Sequence, residues 1–336
     1  MTLKERIQAF AQLGERIKSL TDDEIDNLSF RARNENSWFT SESVKSTLNT
    51  WGECLTEKSL SSWTKDYALT PKASKKVGLV MAGNIPMVGF HDLLSVLISG
   101  HTAMVKLSSQ DKVLMQFVIS EIRIISEILG SHIIHAERMN EADAIIATGS
   151  DNSARYFKHY FALHPHIIRQ NRTAIAVIKG NETAEELTDF GKDYFQYFGL
   201  GCRNVSKIYA PKGYDFVKLI DALMGYETVL DHHKYRNNYD YNKSIYLVNG
   251  EPHLDSGFFL MRESQELVSP ISVLFYEYYN SEAELDLTLA KHHDKIQCIV
   301  SANGWYEGSI PLGKAQQPEL WDYADGVDTL EFLSGL

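Results

Sequence analysis

The sequence predicts an α/β protein of two domains, the first built on a parallel, doubly wound sheet. Three observations lead there. Short apolar runs ending at glycine or a small polar residue alternate with segments of helical period. The alternation occurs twice, on either side of a polar stretch at residues 164–172. The 336 residues, 44% of them hydrophobic, suffice for two packed cores at ~150 residues per domain.

Taken in order, residues 1–66 read as helices. Thr40 or Ser41 is placed to cap one of them, with Val44, Leu48 and Trp51 on a common face. KVGLVMAG (76–83) reads as a buried strand, and Leu93 to Ile98 as a helix that stops at Gly100. TAMVKLS (102–108) is a second strand. Asp111 to Leu129 is expected to be one long helix, with Val113, Phe117, Ile124 and Ile128 as its apolar stripe. ADAIIATGS (142–150) makes a third strand. In the second half, residues 173–180 and 204–211 read as strands, 182–198 and 215–225 as helices, and further apolar runs occupy 244–248, 258–262, 271–278 and 296–301. VDTLEFLSGL (327–336) alternates apolar residues at strand spacing. No internal repeat or low-complexity segment interrupts the chain.

Composition excludes several function classes. A net charge of −11 and the lack of a basic stripe argue against nucleic acid. An anionic ligand stays open, because phosphates bind local amides and single lysines. No apolar run approaches the ~18–20 residues of a membrane span. The N-terminus mixes charge with apolar residues, unlike a signal peptide. A cytoplasmic protein is expected. Three cysteines, Cys54, Cys202 and Cys298, suit a reducing compartment and make no disulfide framework. The adjacent pairs His232-His233 and His292-His293 suit tetrahedral ligation poorly, so no metal is expected.

Cys202 sits in FGLGCRNVSKIY, between a helix and a strand, with Gly199 and Gly201 bracketing its approach. Glycines let the backbone come close to a ligand and expose a side chain on a sharp turn. An N–H beside such a thiol can stabilise an oxyanion. On position alone this reading and that of a small buried hydrophobe stand even. Cys54 and Cys298 read as core residues. Asn84, in AGNIP (82–86), leaves a strand and can donate to a developing oxyanion, or serve only as a turn residue before proline. Lys106 and Ser108 end a strand, where a ribose or phosphate ligand is plausible. TGSDNS (148–153) follows a strand and opens a helix, so its amides suit a pyrophosphate or an ordinary helix cap.

The order of these signals resembles the aldehyde dehydrogenase superfamily. The matching segments are AGNIPMVG (82–89), GHTAMVKLSS (100–109), ATGSDNSAR (147–155), YFGLGCRNVSKIYAP (197–211) and QELVSPISVLF (265–275). Within it, the opening SWFTSESVKSTLNTW (37–51) and the tail SIPLGKAQQPELWDYADGVDTLEFL (309–333) are similar to the LuxC-like acyl-CoA reductases. The resemblance implies an aldehyde dehydrogenase-like α/β fold: a Rossmann-like cofactor domain plus an α/β catalytic domain, the site lying in the cleft between them. The expected division is 1–168 for the N-terminal helices and cofactor domain, 169–308 for the catalytic domain, and 309–336 for a tail. That tail is expected to add a strand to a neighbour's sheet in a homodimer, or else to fold back as a strand on its own domain.

Carried over residue by residue, the resemblance makes Cys202 the nucleophile and Asn84 the oxyanion donor, joined by the Cys202 amide. Lys106 becomes the adenosine-ribose ligand, with Ser108 and Ser109 beside it. Gly149 and Ser150 lie against the nicotinamide nucleotide, and Glu266 holds its ribose. Two departures shape the mechanism. Where hydrolytic members carry a glutamate base, this chain has Arg169, Gln170 and Asn171 and no carboxylate to activate water; His164 and His166 nearby shape the domain junction or, alternatively, replace the base. Where NAD-preferring members carry a second carboxylate it has Ser109, which favours NADPH over NADH. The implied reaction is NADPH-dependent reduction of an acyl-CoA to an aldehyde through a Cys202 acyl-enzyme, with a partner protein able to supply the acyl group. An acyl phosphate or acyl adenylate reductase, or a catalytically silent acyl-binding relative, is the alternative.

Overall fold

The computed structural model describes all 336 residues apart from the side chain of Asp151. The chain divides into two compact units, residues 1–171 with 319–336, and residues 172–318.

The first unit opens with four helices, α1 (Leu3–Lys18), α2 (Asp22–Glu35), α3 (Ser41–Cys54) and α4 (Glu57–Thr64). Each starts at a threonine whose hydroxyl accepts a first-turn N–H. Thr2 with Glu5 and Thr21 with Glu24 are reciprocal capping boxes. There follow β1 (Lys76–Val80), α5 (Phe90–Ile98), β2 (Thr102–Lys106), α6 (Lys112–Ile125), α7 (Glu127–Ser131), β3 (Ile133–His135), β4 (Ala144–Thr148), α8 (Asp151–Tyr160) and β5 (His166–Arg169). The strands pair in the order β3-β2-β1-β4-β5, all parallel. The order reverses at β1, so its carboxyl end is the switch point where ligands of such sheets bind.

Two expectations in this unit are corrected. The helix expected over 111–129 breaks at Ser126, whose backbone is extended and whose hydroxyl caps α7. Its core face is Leu114, Met115, Val118, Ile119 and Ile122, whereas Ile124 and Ile128 are 77% and 61% exposed. The helix is apolar on two sides, and periodicity alone does not choose between them. The sheet below and α1 and α2 above do. The tail, expected as an exchanged strand, is α13 (Thr329–Ser334), folded onto its own unit against α5. Asp328 caps it, and Leu330 and Leu333 are buried. Leucines three apart suit a helix face as well as alternation suits a strand, and the cap favours the helix.

The second unit contains β6 (Thr173–Val177), α9 (Ala184–Phe195), a 3₁₀ turn (Gln196–Gly199), β7 (Val205–Pro211), α10 (Val217–Leu223), α11 (His233–Asn249), β8 (Leu254–Asp255), β9 (Leu260–Glu263), β10 (Val273–Tyr279), α12 (Glu282–Ala290), β11 (Ile296–Ser301) and β12 (Ile310–Pro311). Its sheet runs β12-β11-β6-β7-β10-β9-β8 and is parallel apart from the β8–β9 pair. The central strand β7 is buried along almost its whole length, as expected of a strand covered on both faces.

Candidate active site

In the first unit, the named residues gather at the carboxyl edge of the sheet. Asn84 is exposed on the turn leaving β1, Lys106 ends β2, and Gly149 and Ser150 leave β4, on neighbouring strands. The Asn84 turn is held from below. A side chain at Gly83 would bring its Cβ within 2.5 Å of Ser108 Oγ and 3.1 Å of the Asp111 nitrogen, so only glycine fits. The Asn36 amide, from the α2–α3 link, donates to the Gly83 carbonyl at 3.0 Å. Met87, closing the same turn, is left-handed at φ 55°.

Ser108 is the support of this turn, and its Oγ also accepts the Gln110 N–H at 3.2 Å. Ser109 and Lys106 are exposed. Beneath them Asp111 is 1% exposed and neither carboxyl oxygen has a hydrogen-bond partner. Burial holds its pKa well above the usual carboxylate range. Ser150 caps α8 by accepting the Ser153 N–H at 3.4 Å. Gly149 is required sterically, because a Cβ there would lie 2.8 Å from Ser153 Cβ and 3.0 Å from Phe157. Within the TGSDNS turn, the side chain of Asp151 lies outside the described residues.

In the second unit, Cys202 and Glu266 belong to segments entering the amino ends of β7 and β10. Cys202 is partly exposed. It occupies the corner of a β-turn, with the Asn204 N–H donating to the Gly201 carbonyl at 3.0 Å. Three successive residues before it, Tyr197, Phe198 and Gly199, are left-handed, with φ of 54°, 57° and 79°. Such strain in non-glycine residues costs about 1–3 kcal/mol each and gathers at functional turns. A buried hydroxyl relay fixes the surroundings. Thr173 Oγ1 donates to Ser206 Oγ at 2.8 Å, and Ser206 donates to the Leu267 carbonyl at 2.7 Å. That joins the start of β6, the strand after Cys202 and the loop carrying the exposed Glu266.

The other two cysteines differ. Cys54 lies at the end of α3, and burial with Glu319, Glu53 and Asp322 pushes its thiol up to about 11. Cys298 sits within β11. Among the described residues, no His/Cys/Asp/Glu group is arranged to hold a metal, and no helix is long and apolar enough to cross a membrane.

The stretch expected to lack a catalytic base is structural in part. Arg169 is 3% exposed and grips Asp92 at 2.7 Å, the Ala324 carbonyl at 2.6 Å and Thr329 at 2.9 Å. The Gln170 N–H donates to Asp325 at 3.1 Å, so the tail brings a carboxylate to a stretch that has none of its own. His166 is held by the His164 carbonyl at 2.8 Å.

The model of the acyl-CoA reductase (LuxC) family matches residues 11–209, more than half of the sequence. The chain belongs to the LuxC acyl-CoA reductase family. It is therefore an oxidoreductase, in a family whose reaction forms aldehydes from acyl groups. Both Asn84 and Cys202 lie inside the match, while Glu266 and the tail lie outside it. None of the curated proteins compared with the chain matches it. Solved structures establish the aldehyde dehydrogenase fold. An NADP-dependent enzyme from E. coli is 12% identical, with a TM-score of 0.67 over 90% of this chain and 73% of that one. Aldehyde dehydrogenase 21 from Physcomitrella patens, in complex with succinate, is 12% identical, with a TM-score of 0.65 over 90% and 73%. The NAD+ complex of a Bacillus cereus aldehyde dehydrogenase is 13% identical, with a TM-score of 0.61 over 90% and 72%.

Sequence reading missed Asn36, Thr173, Asn204 and Ser206, the residues that hold the two turns. Only Asn204 carried a visible signal, an asparagine two places after a glycine-flanked cysteine. The others act across long sequence separations, which no local pattern records.

Proposed function

We propose that this chain reduces a fatty acyl-CoA to the aldehyde with NADPH, through an acyl-enzyme on Cys202. The observation that carries the reading is the Cys202 turn: a partly exposed thiol at the corner of a pinned, strained loop, in a chain of this family. The Cys202 sulfur attacks the thioester carbon, forming an S–C bond while the bond to CoA breaks and CoA leaves as its thiol. Asn84 and the Cys202 N–H are the proposed donors to the oxyanion. Lys106, Ser109, Gly149, Ser150 and Glu266 are the proposed holders of the cofactor. Their features fit it: an exposed cation, a hydroxyl in place of a second carboxylate, and a glycine at the mouth of a helix. NADPH, when bound, supplies the hydride that converts the acyl group to the aldehyde. Collapse of the resulting adduct returns the Cys202 thiolate.

Following NADPH oxidation across a panel of acyl-CoA chain lengths, with direct detection of aldehyde, tests the reading. Stoichiometric aldehyde is expected. NADPH consumption with acyl phosphate or acyl adenylate, and none with any acyl-CoA, would overturn it.

A further inference from the structure

We infer that Asn204 is a positioning residue for the Cys202 nucleophile, one whose buried carboxamide sets the turn that aims both the sulfur and the backbone N–H. The inference rests on the reading of Cys202 proposed above.

The need for such a residue arises in α9. The helix ends at Phe195, and the left-handed residues that follow carry the chain away instead of continuing the helical hydrogen bonds. Carbonyls at the end of α9 then require donors from elsewhere. Asn204 supplies them. Its Nδ2 donates to the carbonyls of Asp193 at 3.1 Å, Tyr194 at 3.3 Å and Gln196 at 2.6 Å. On its other side, Oδ1 accepts the Gly201 N–H at 2.8 Å. Its own N–H closes the turn onto the Gly201 carbonyl at 3.0 Å. Its carbonyl accepts from the Ala174 N–H at 3.1 Å, which ties the turn to β6.

Asn204 thus closes the turn on both sides of Cys202. Gly201 before it is bonded to Asn204 through both its N–H and its carbonyl, and the strained segment 197–199 is bridged from its start by the same side chain. Asn204 is 2% exposed. The chemistry is specific to a carboxamide. Aspartate keeps an acceptor for Gly201 but turns charge or a single donor toward three carbonyls, and alanine removes the amide from all of them. Without Asn204, the left-handed segment loses its anchors at Gln196 and Gly201, and the Cys202 N–H loses its fixed direction.

The test uses the full-length protein with Asn204→Ala and Asn204→Asp, at a temperature where each is folded by circular dichroism. Three quantities are read: single-turnover release of CoA from an acyl-CoA, site-resolved iodoacetamide labelling of Cys202 across the pH range, and NADPH binding by fluorescence. Misplacing a reacting group by about 1 Å costs up to ~10²-fold. Acylation is therefore expected to fall at least ~10-fold in Asn204→Ala, with a displaced labelling profile and unchanged NADPH affinity. Asn204→Asp should fall between wild type and Asn204→Ala, and it decides the question alone if Asn204→Ala does not fold. A purely structural role predicts a lower melting temperature with acylation and labelling per folded molecule within about twofold of wild type. That result overturns the inference. If wild type releases no CoA from any acyl-CoA but its Cys202 labelling profile still moves in the variants, the positioning role stands and the acyl-CoA reading fails.

Discussion

At the scale of single residues, the chemistry comes down to one thiol and its surroundings. Cys202→Ala is expected to abolish reduction while NADPH still binds, and mass spectrometry after acyl-CoA treatment should place the acyl group on Cys202. Full activity in the variant, or the adduct on Cys54 or Cys298, would sink that assignment. The structure adds a contrast within the same molecule. With its thiol pushed up to about 11, Cys54 stays protonated at neutral pH and should label slowly with iodoacetamide. The cofactor prediction belongs at this scale too. Ser109 is exposed beside Lys106, so Ser109→Glu brings a negative charge near a 2′-phosphate. Repulsion of about 1–3 kcal/mol at a partly exposed site should shift preference toward NADH. Catalytic efficiencies with the two cofactors measure it, and a wild type that already prefers NADH would refute it.

At the scale of elements, buried polar groups decide how the helices and loops hold together. Asp193, on α9, is fully buried and accepts the Gly313 N–H at 2.6 Å and the Ala315 N–H at 2.9 Å. Both bonds favour the ionised form, yet burial outweighs them and pushes the acid up to about 7. The sign of the stability effect follows. The unfolded acid titrates near ~3.9, so between about pH 4 and 7 the folded state binds the proton that the unfolded state has lost. This group therefore contributes a loss of stability as pH rises through that window, at most ~1.4 kcal/mol per pH unit, and nothing further above it. Asp193→Asn should remove that slope. Urea midpoints of both proteins from pH 4.5 to 8 test this, and parallel curves would reject it. Burial shifts the Asp111 carboxyl beneath the Asn84 turn in the same direction.

At the scale of the whole molecule, the tail completes the first unit. Leu320, Leu330 and Leu333 are buried there. His91 meets the Leu320 carbonyl at 2.9 Å, His101 meets the Leu333 carbonyl at 2.9 Å, and Tyr67 donates to Asp328 at 2.6 Å. Each buried leucine contributes roughly 1.5–3 kcal/mol, a large share of a net stability of about 5–15 kcal/mol. Ending the chain after Pro318 should therefore lower the melting temperature sharply, and an unchanged melt would contradict this. The last prediction concerns the reaction as a whole. A positioned base is worth ~10²–10⁴-fold, and Asp325 is engaged by the Gln170 N–H. Without NADPH, one equivalent of CoA should leave in a burst, followed by little free acid. Hydrolysis as fast as reduction would reveal a working base, and loss of that hydrolysis in Asp325→Asn would identify it.

The sequence alone determined what is local. Glycine-ended apolar runs alternating with helical segments, threonine caps before acidic first turns, and a glycine-flanked cysteine are all written within a few residues. The backbone answers to such patterns wherever they occur, and so the α/β fold, the family resemblance and the candidate residues were legible. Only the tertiary structure decided what depends on partners far along the chain. Both sides of α6 are apolar, and the sheet and α1 and α2 chose which is core. The final ten residues alternate like a strand, and Asp328 with the site on α5 made them a helix. Asn36 reaches Gly83, Asp325 reaches Gln170, and Asn204 gathers carbonyls from the end of α9. A buried polar group must find its hydrogen bonds somewhere, and that place is set by packing in three dimensions rather than by spacing along the chain.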